Sequence, residues 1–137
     1  MNESLFQEAF SKVQKRRLDA QAENERRFEE VARTIPQIPE ITRQLAQTSL
    51  RILRILQNGK DTEAQMEALK NENLQAQKLC ENLLVSKGYP ADYLQMHYTC
   101  KTCSDTGYNG TVYCDCLKRE IASAAIGRMN RQAQVQL

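Results

Sequence analysis

The sequence predicts an all-α fold: an elongated three-helix bundle or helical hairpin, then a small four-cysteine zinc β-hairpin and a short C-terminal helix. Three observations lead there. Apolar residues recur at helical spacing over most of the chain, only five glycines and three prolines punctuate its 137 residues, and aromatics make up 6% with no Trp. A core must then come from Leu, Ile, Ala and Met, which suit helices better than the turn-rich sheets of a sandwich. A mean hydropathy of −0.63 implies much wetted surface for the amount of core, hence an elongated shape. The length fits one domain with a small appendage and excludes a multidomain enzyme.

The first helix is expected over about residues 3–34, where Phe6, Phe10, Val13, Ala20, Phe28, Val31 and Ile35 follow a roughly helical spacing. Its middle is strongly charged, with pairs such as Glu23 and Arg27 at four-residue spacing that are each worth little, so it needs a neighbour. Pro36 and Pro39 then punctuate the chain. A second helix over about 37–57 carries Ile41, Leu45, Thr48, Ile52 and Ile55 on one seam and is stopped by Asn58 and Gly59. A third, over about 62–87, carries Met66, Leu69, Ala76, Cys80 and Leu83, with Gly88 as a left-handed exit and Pro90 confirming the break. Asn73 interrupts this seam, either as a register-setting polar contact or as a side chain at the edge of the interface. The short loop between the two helices implies an antiparallel hairpin with the first helix against it, so residues 1–97 read as the helical bundle. Residues 98–117 read as the metal-binding hairpin. In residues 118–137 a helix from Leu117 to about Met129 shows Leu117, Ile121, Ala124 and Ala125 as a short stripe, and the ending RMNRQAQVQL reads as a fraying tail.

The sharpest chemical signal is YTCKTCSDTGYNGTVYCDCL, residues 98–117. Cys100 and Cys103 form a C-x2-C pair, and Cys114 and Cys116 a C-x-C pair. Two residues between thiols let a tight knuckle aim both sulfurs at one ion. Asn109-Gly110 is a type I′ hairpin signal that folds the second pair back to the first. In an extended segment residues two apart face the same side, so Cys114 and Cys116 are expected on a strand. Four thiolates match the tetrahedral preference of Zn²⁺ and leave no open position, which makes the expected metal role structural. His97, the only histidine, is a rival ligand, most plausibly in place of Cys116. Cys80, on an apolar seam, reads as a core thiol.

Nothing else in the sequence points to catalysis: there is no G-x-S-x-G elbow and no phosphate-cradling glycine loop, so neither an enzyme nor a nucleotide site is expected in this chain. The formal net charge of +2 is too small to name nucleic acid as a partner. Arg43, Arg51 and Arg54 fall on or near one helical face and read as a solvated face or as a contact for phosphate or an acidic partner. The amino terminus lacks a signal peptide and no apolar run is long enough for a membrane span, which suggests a cytoplasmic protein with reduced cysteines. Two rival functions follow from the same residues. Tyr98, Tyr108 and Tyr113 beside Lys101, Lys118 and Arg119 suit a zinc-stabilised module that stacks on single-stranded nucleic acid. Cys100 and Cys103 alone would suit a thiol oxidoreductase, although the βαβ pattern expected beside such a site is absent.

From Gly88 to Leu117 the order GYPADYL, Y-x-C-x2-C-x-D-T-G-Y-x-x-G and CDCLK resembles the amino-terminal module of DnaC/DnaI-like bacterial replicative helicase loaders. The preceding helices, with IPEI at Ile38 to Ile41, are consistent with that family. The resemblance implies a helical, zinc-bearing adaptor that grips the hexameric replicative helicase, with Cys100, Cys103, Cys114 and Cys116 as metal ligands. It further implies an AAA+ ATPase domain that would follow, through which ATP and single-stranded DNA would be bound. The chain is expected to end where that domain would begin, as a fragment or a truncated relative.

Overall fold

The computed structural model describes residues 3–136, and the described chain is mostly helical with one small antiparallel hairpin. Helix α1 spans Glu3–Thr34, α2 Gln37–Ala46, α3 Thr48–Asn58 and α4 Thr62–Ser86; strands β1 (Tyr108–Asn109) and β2 (Val112–Tyr113) precede α5, Asp115–Gln136. The first and third expected helices match α1 and α4 closely. The second does not survive as one helix. Gln47, at φ −83° and ψ −1°, breaks it into α2 and α3. Its N–H bonds back three residues to the Gln44 carbonyl, and the Thr48 hydroxyl donates to the Leu45 carbonyl. Thr48 thus offers the backbone a local alternative to the helical ladder. Pro36 sits at the N-cap of α2, but Pro39 lies inside its first turn, where the missing N–H costs nothing.

The described chain forms two compact units. One is Glu25–Gln95; the other joins the chain up to Asn24 with the chain from Met96 onward. This grouping runs differently from a division at residues 97 and 117, because α1 is apolar at both ends and charged between. In the first unit, Val31, Ile35, Ile38 and Leu84 make a buried core, with Phe28, Cys80, Leu83, Tyr89, Tyr93 and Leu94 packed on it. Both α2 and α3 lie along α4. The Schellman-like exit of α4 has the Tyr89 N–H on the Leu84 carbonyl and Gly88 at φ +87°. Asn73 does make the polar contact across the α3–α4 seam: its Nδ2 donates to Thr48 Oγ1 at 3.0 Å.

In the other unit, Ala9, Val13 and Leu117 are buried together, with Phe6, Phe10, Tyr113 and Ile121 against them. The α5 stripe of Leu117 and Ile121 therefore docks on the first turns of α1. Charged clamps flank it: Arg16 pairs with Glu120, and Arg128 with Glu8 at 3.3 Å and with the Ser4 hydroxyl at 2.6 Å. The helix is longer than expected, since the anticipated fraying tail stays helical to Gln136; Leu137 lies outside the described residues. No described helix is long and apolar enough to cross a membrane.

Candidate metal centre

All four cysteines expected as ligands come together. The Sγ atoms of Cys100, Cys103, Cys114 and Cys116 lie within 4.8 Å of one another. Cys100 and Cys114 face each other at 3.8 Å, Cys103 and Cys116 at 3.5 Å. A disulfide would hold two sulfurs at about 2.05 Å. Four sulfurs at about 2.3 Å from one central ion have tetrahedron edges of about 3.8 Å. The spacing fits an ion held by four sulfurs and does not fit a pair of bridges. Cys103, Cys114 and Cys116 are buried and Cys100 half-buried, so the donor set is closed to solvent on most sides. His97 is exposed and outside the cluster, which removes it as a rival ligand.

The local fold explains the convergence. After Cys103 the chain turns sharply: the Thr106 N–H and hydroxyl both donate to the Cys103 carbonyl, and Ser104 and Asp105 take φ of +53° and +58°. Asp105 is almost fully buried, and its two carboxylate oxygens accept the N–H groups of Thr99 and Cys100, each at 2.9 Å. That one side chain ties the arm carrying Cys100 to the turn carrying Cys103. Gly107, at φ +85°, donates its N–H to Cys103 Sγ at 3.4 Å, and a Cβ there would meet Leu117 and Phe10 at 3.4 and 3.5 Å. Those are ordinary contact distances, so it is the left-handed conformation that favours glycine here. Arg17 reaches in from α1 to donate to the Ser104 carbonyl at 3.0 Å and lies over the Tyr98 ring.

Two details of the sequence reading are corrected. The hairpin pairs Tyr108 with Tyr113 and Asn109 with Val112, so Gly110 and Thr111 form the loop. Only Gly110 of these two has positive φ, at +69°, as in a type II′ turn; an Asn-Gly type I′ turn would need it at both loop residues. Nor are Cys114 and Cys116 an extended pair. Cys114 immediately precedes α5 and accepts the Leu117 and Lys118 N–H groups on its carbonyl, while Cys116 sits in the first helical turn. The change from strand to helix between them swings both sulfurs to one side.

Four adjoining thiols cannot all ionise by themselves. Cys100 is drawn down to about 7, chiefly by a hydrogen bond from the Cys103 backbone. Cys116 is pushed well up, first by burial and then by the neighbouring thiols. A divalent cation at the centre would remove this conflict, because it stabilises every thiolate at once. The residues therefore fit a four-coordinate metal ion with no open position. Cys80, by contrast, is apart from the cluster, and burial pushes its thiol up.

Other sequence-chosen residues fare differently. The Tyr113 ring stacks on Phe6 at 5.4 Å, and Tyr108 packs edge-on against Phe10 and Tyr113. Lys101, Lys118 and Arg119 are exposed, with Lys118 3.9 Å from Asp115. Arg43 pairs with Glu40 and Arg51 with Glu72, each at 2.6 Å. Sequence reasoning did not single out the work of Asp105, Gly107 and Arg17; the D-T-G that follows the first cysteine pair was the available signal. Comparison with protein-family models, with curated proteins and with solved structures found no match.

Proposed function

We propose that the four cysteines hold one structural Zn²⁺ and that the chain is a non-catalytic adaptor, the helicase-binding module of a replicative helicase loader acting in the cytoplasm. The carrying observation is the closed set of four sulfurs at near-tetrahedral spacing, which leaves no coordination position for water or substrate. Zinc suits it better than a redox metal, because a structural role needs a fixed charge and geometry. When bound, the ion supplies the cross-link; the chain's own residues supply the frame. Asp105 presets the Cys100 arm, Gly107 supplies the left-handed turn that follows Cys103, and α5 leaves the site in a fixed direction along α1. The helicase as partner rests on the resemblance of residues 88–117 to the loader modules, and the ATPase and DNA-binding steps of such a loader would belong to a following domain. The single-stranded nucleic-acid reading has less support, since the Tyr113 ring is already stacked on Phe6.

Two measurements test the proposal. Native mass spectrometry is expected to find one zinc per chain, and titration against the hexameric replicative helicase of the source organism to find a stable complex. Metal-free, folded protein would overturn the structural role. Zinc-loaded protein that ignores the helicase but binds single-stranded DNA with a steep salt dependence would overturn the adaptor in favour of the nucleic-acid module.

A further inference from the structure

We infer that α3 carries the partner-docking surface of this chain and that its occupant is an amphipathic helix of the partner protein with carboxylates beside its apolar face. This rests on the adaptor reading, which supplies the partner. Helix α3, TSLRILRILQN, carries one broad apolar arc that continues past the side facing α4, with Arg51, Arg54 and Asn58 opposite. Ile52 and Ile55 are half-buried on its α4 side, whereas Leu50, Leu53 and Leu56 are 56, 52 and 57% exposed. Their three-residue spacing makes one stripe, about 9 Å long at 1.5 Å per residue. The apolar arc is thus wider than the part covered by α4, and the uncovered part is what a partner would bury. No other described helix shows three large apolar side chains so exposed at such spacing.

Next to Ile52, α3 and α4 flank an open groove of about 290 Å³ lined by Ile52, Met66, Leu69 and Leu74 and equally by polar side chains, Lys70 and Asn73 among them. Stripe and groove together suit the insertion of a helix by its apolar face. Charge selects the occupant. Helix α3 has no acidic residue; Arg51 is held by Glu72, and Arg54, one turn from Leu50, has no ion-pair partner among the described residues. A second copy docked by a two-fold axis through α3 would set Arg54 against its like with no carboxylate on either helix. A partner bearing acids beside its apolar residues meets both features. The charged middle of α1 is a weaker surface: its Lys15 already faces Asp19 and its Arg26 Glu30, and it offers the lone Leu18.

The test uses the full metal-bound chain and the hexameric helicase as probe. Leu53→Glu is expected to weaken binding by about 30-fold or more, as loss of a central apolar anchor does. Arg54→Glu should weaken it about 10-fold at low salt and less at high salt. Leu18→Glu should leave it within about twofold. Thermal melts of the three variants check that each is folded, and Arg54→Glu, at an exposed position, keeps the test valid if Leu53→Glu is not. Unchanged binding by Leu53→Glu and Arg54→Glu, with the parent chain still bound, would overturn this surface and leave the adaptor standing. A parent chain that does not bind at all would remove the adaptor and this surface with it. Concentration-dependent dimers abolished by Leu53→Glu would instead assign the stripe to a second copy and overturn the acidic partner.

Discussion

The unit Glu25–Gln95 has an interior of hydrocarbon, with Val31, Ile35, Ile38 and Leu84 buried and several half-buried aromatic and aliphatic side chains around them. The other unit buries Ala9, Val13 and Leu117 in a smaller apolar cluster, with Phe6, Phe10, Tyr113 and Ile121 half-buried on it, and next to it sit four thiols. Burying a Val or Leu side chain is worth roughly 1.5 to 3 kcal/mol, so its three fully buried residues supply only a few kcal/mol. A four-thiolate zinc site contributes about 10 to 16 kcal/mol at neutral pH. One unit should thus fold on its side chains alone and the other on its ligand bonds. The α1 helix reaches into both because its apolar residues lie at its two ends.

The largest effect should come from the metal. Chelation, or Cys103→Ser, is expected to unravel the cysteine segment together with the first turns of α1 and with α5, lowering far-UV helicity while leaving the unit around Leu84 folded; circular dichroism with hydrogen exchange reads both. Next is Leu84→Ala. A fully buried leucine should cost about 2 to 5 kcal/mol in the hydrocarbon unit, measured by denaturant melts, with zinc affinity unchanged. Asp105→Asn should then sharpen the contrast from the other side. It loses one of two backbone hydrogen bonds that set the Cys100 arm, and competition with a chelator should show zinc affinity lower by about 10- to 100-fold. The smallest effect should be that of Arg51→Gln. The Arg51 hydrogen bond and charge hold the Glu72 carboxyl below its usual range. Their stabilisation is therefore present above the ordinary carboxylate pKa and lost as pH falls through the lowered value. On an exposed pair it should be slight and vanish in high salt, as a pH series of melts would show.

Much of this arrangement could be read from the residues. The C-terminal ends of α1 and α4 followed from Pro36 and Gly88, and the convergence of the four cysteines from their spacing, because a thiol knuckle is a local device. What escaped depended on tertiary choices or on competition between local options. Gln47 looks like any helical residue until Thr48 bonds backward to Leu45 and breaks the run. Cys116 looked extended because C-x-C alternates on a strand, and nothing in that tripeptide shows that a helix starts at Asp115. The loop register moved by one residue since Asn109 pairs with Val112 and leaves the positive φ to Gly110 alone. The division of α1 between two units could not be seen in its periodicity, which records that a face is buried and not against what. Asp105 was hidden for a similar reason: a buried carboxylate is legible only once the N–H groups that satisfy it are placed.

Hydrogen exchange resolved by peptide, before and after removal of the metal with a chelator, bears on all of this at once. The expected result is collapse of protection up to Asn24 and from Met96 onward, with protection from Glu25 to Gln95 retained. Protection unchanged throughout, or lost equally in both units, would contradict it.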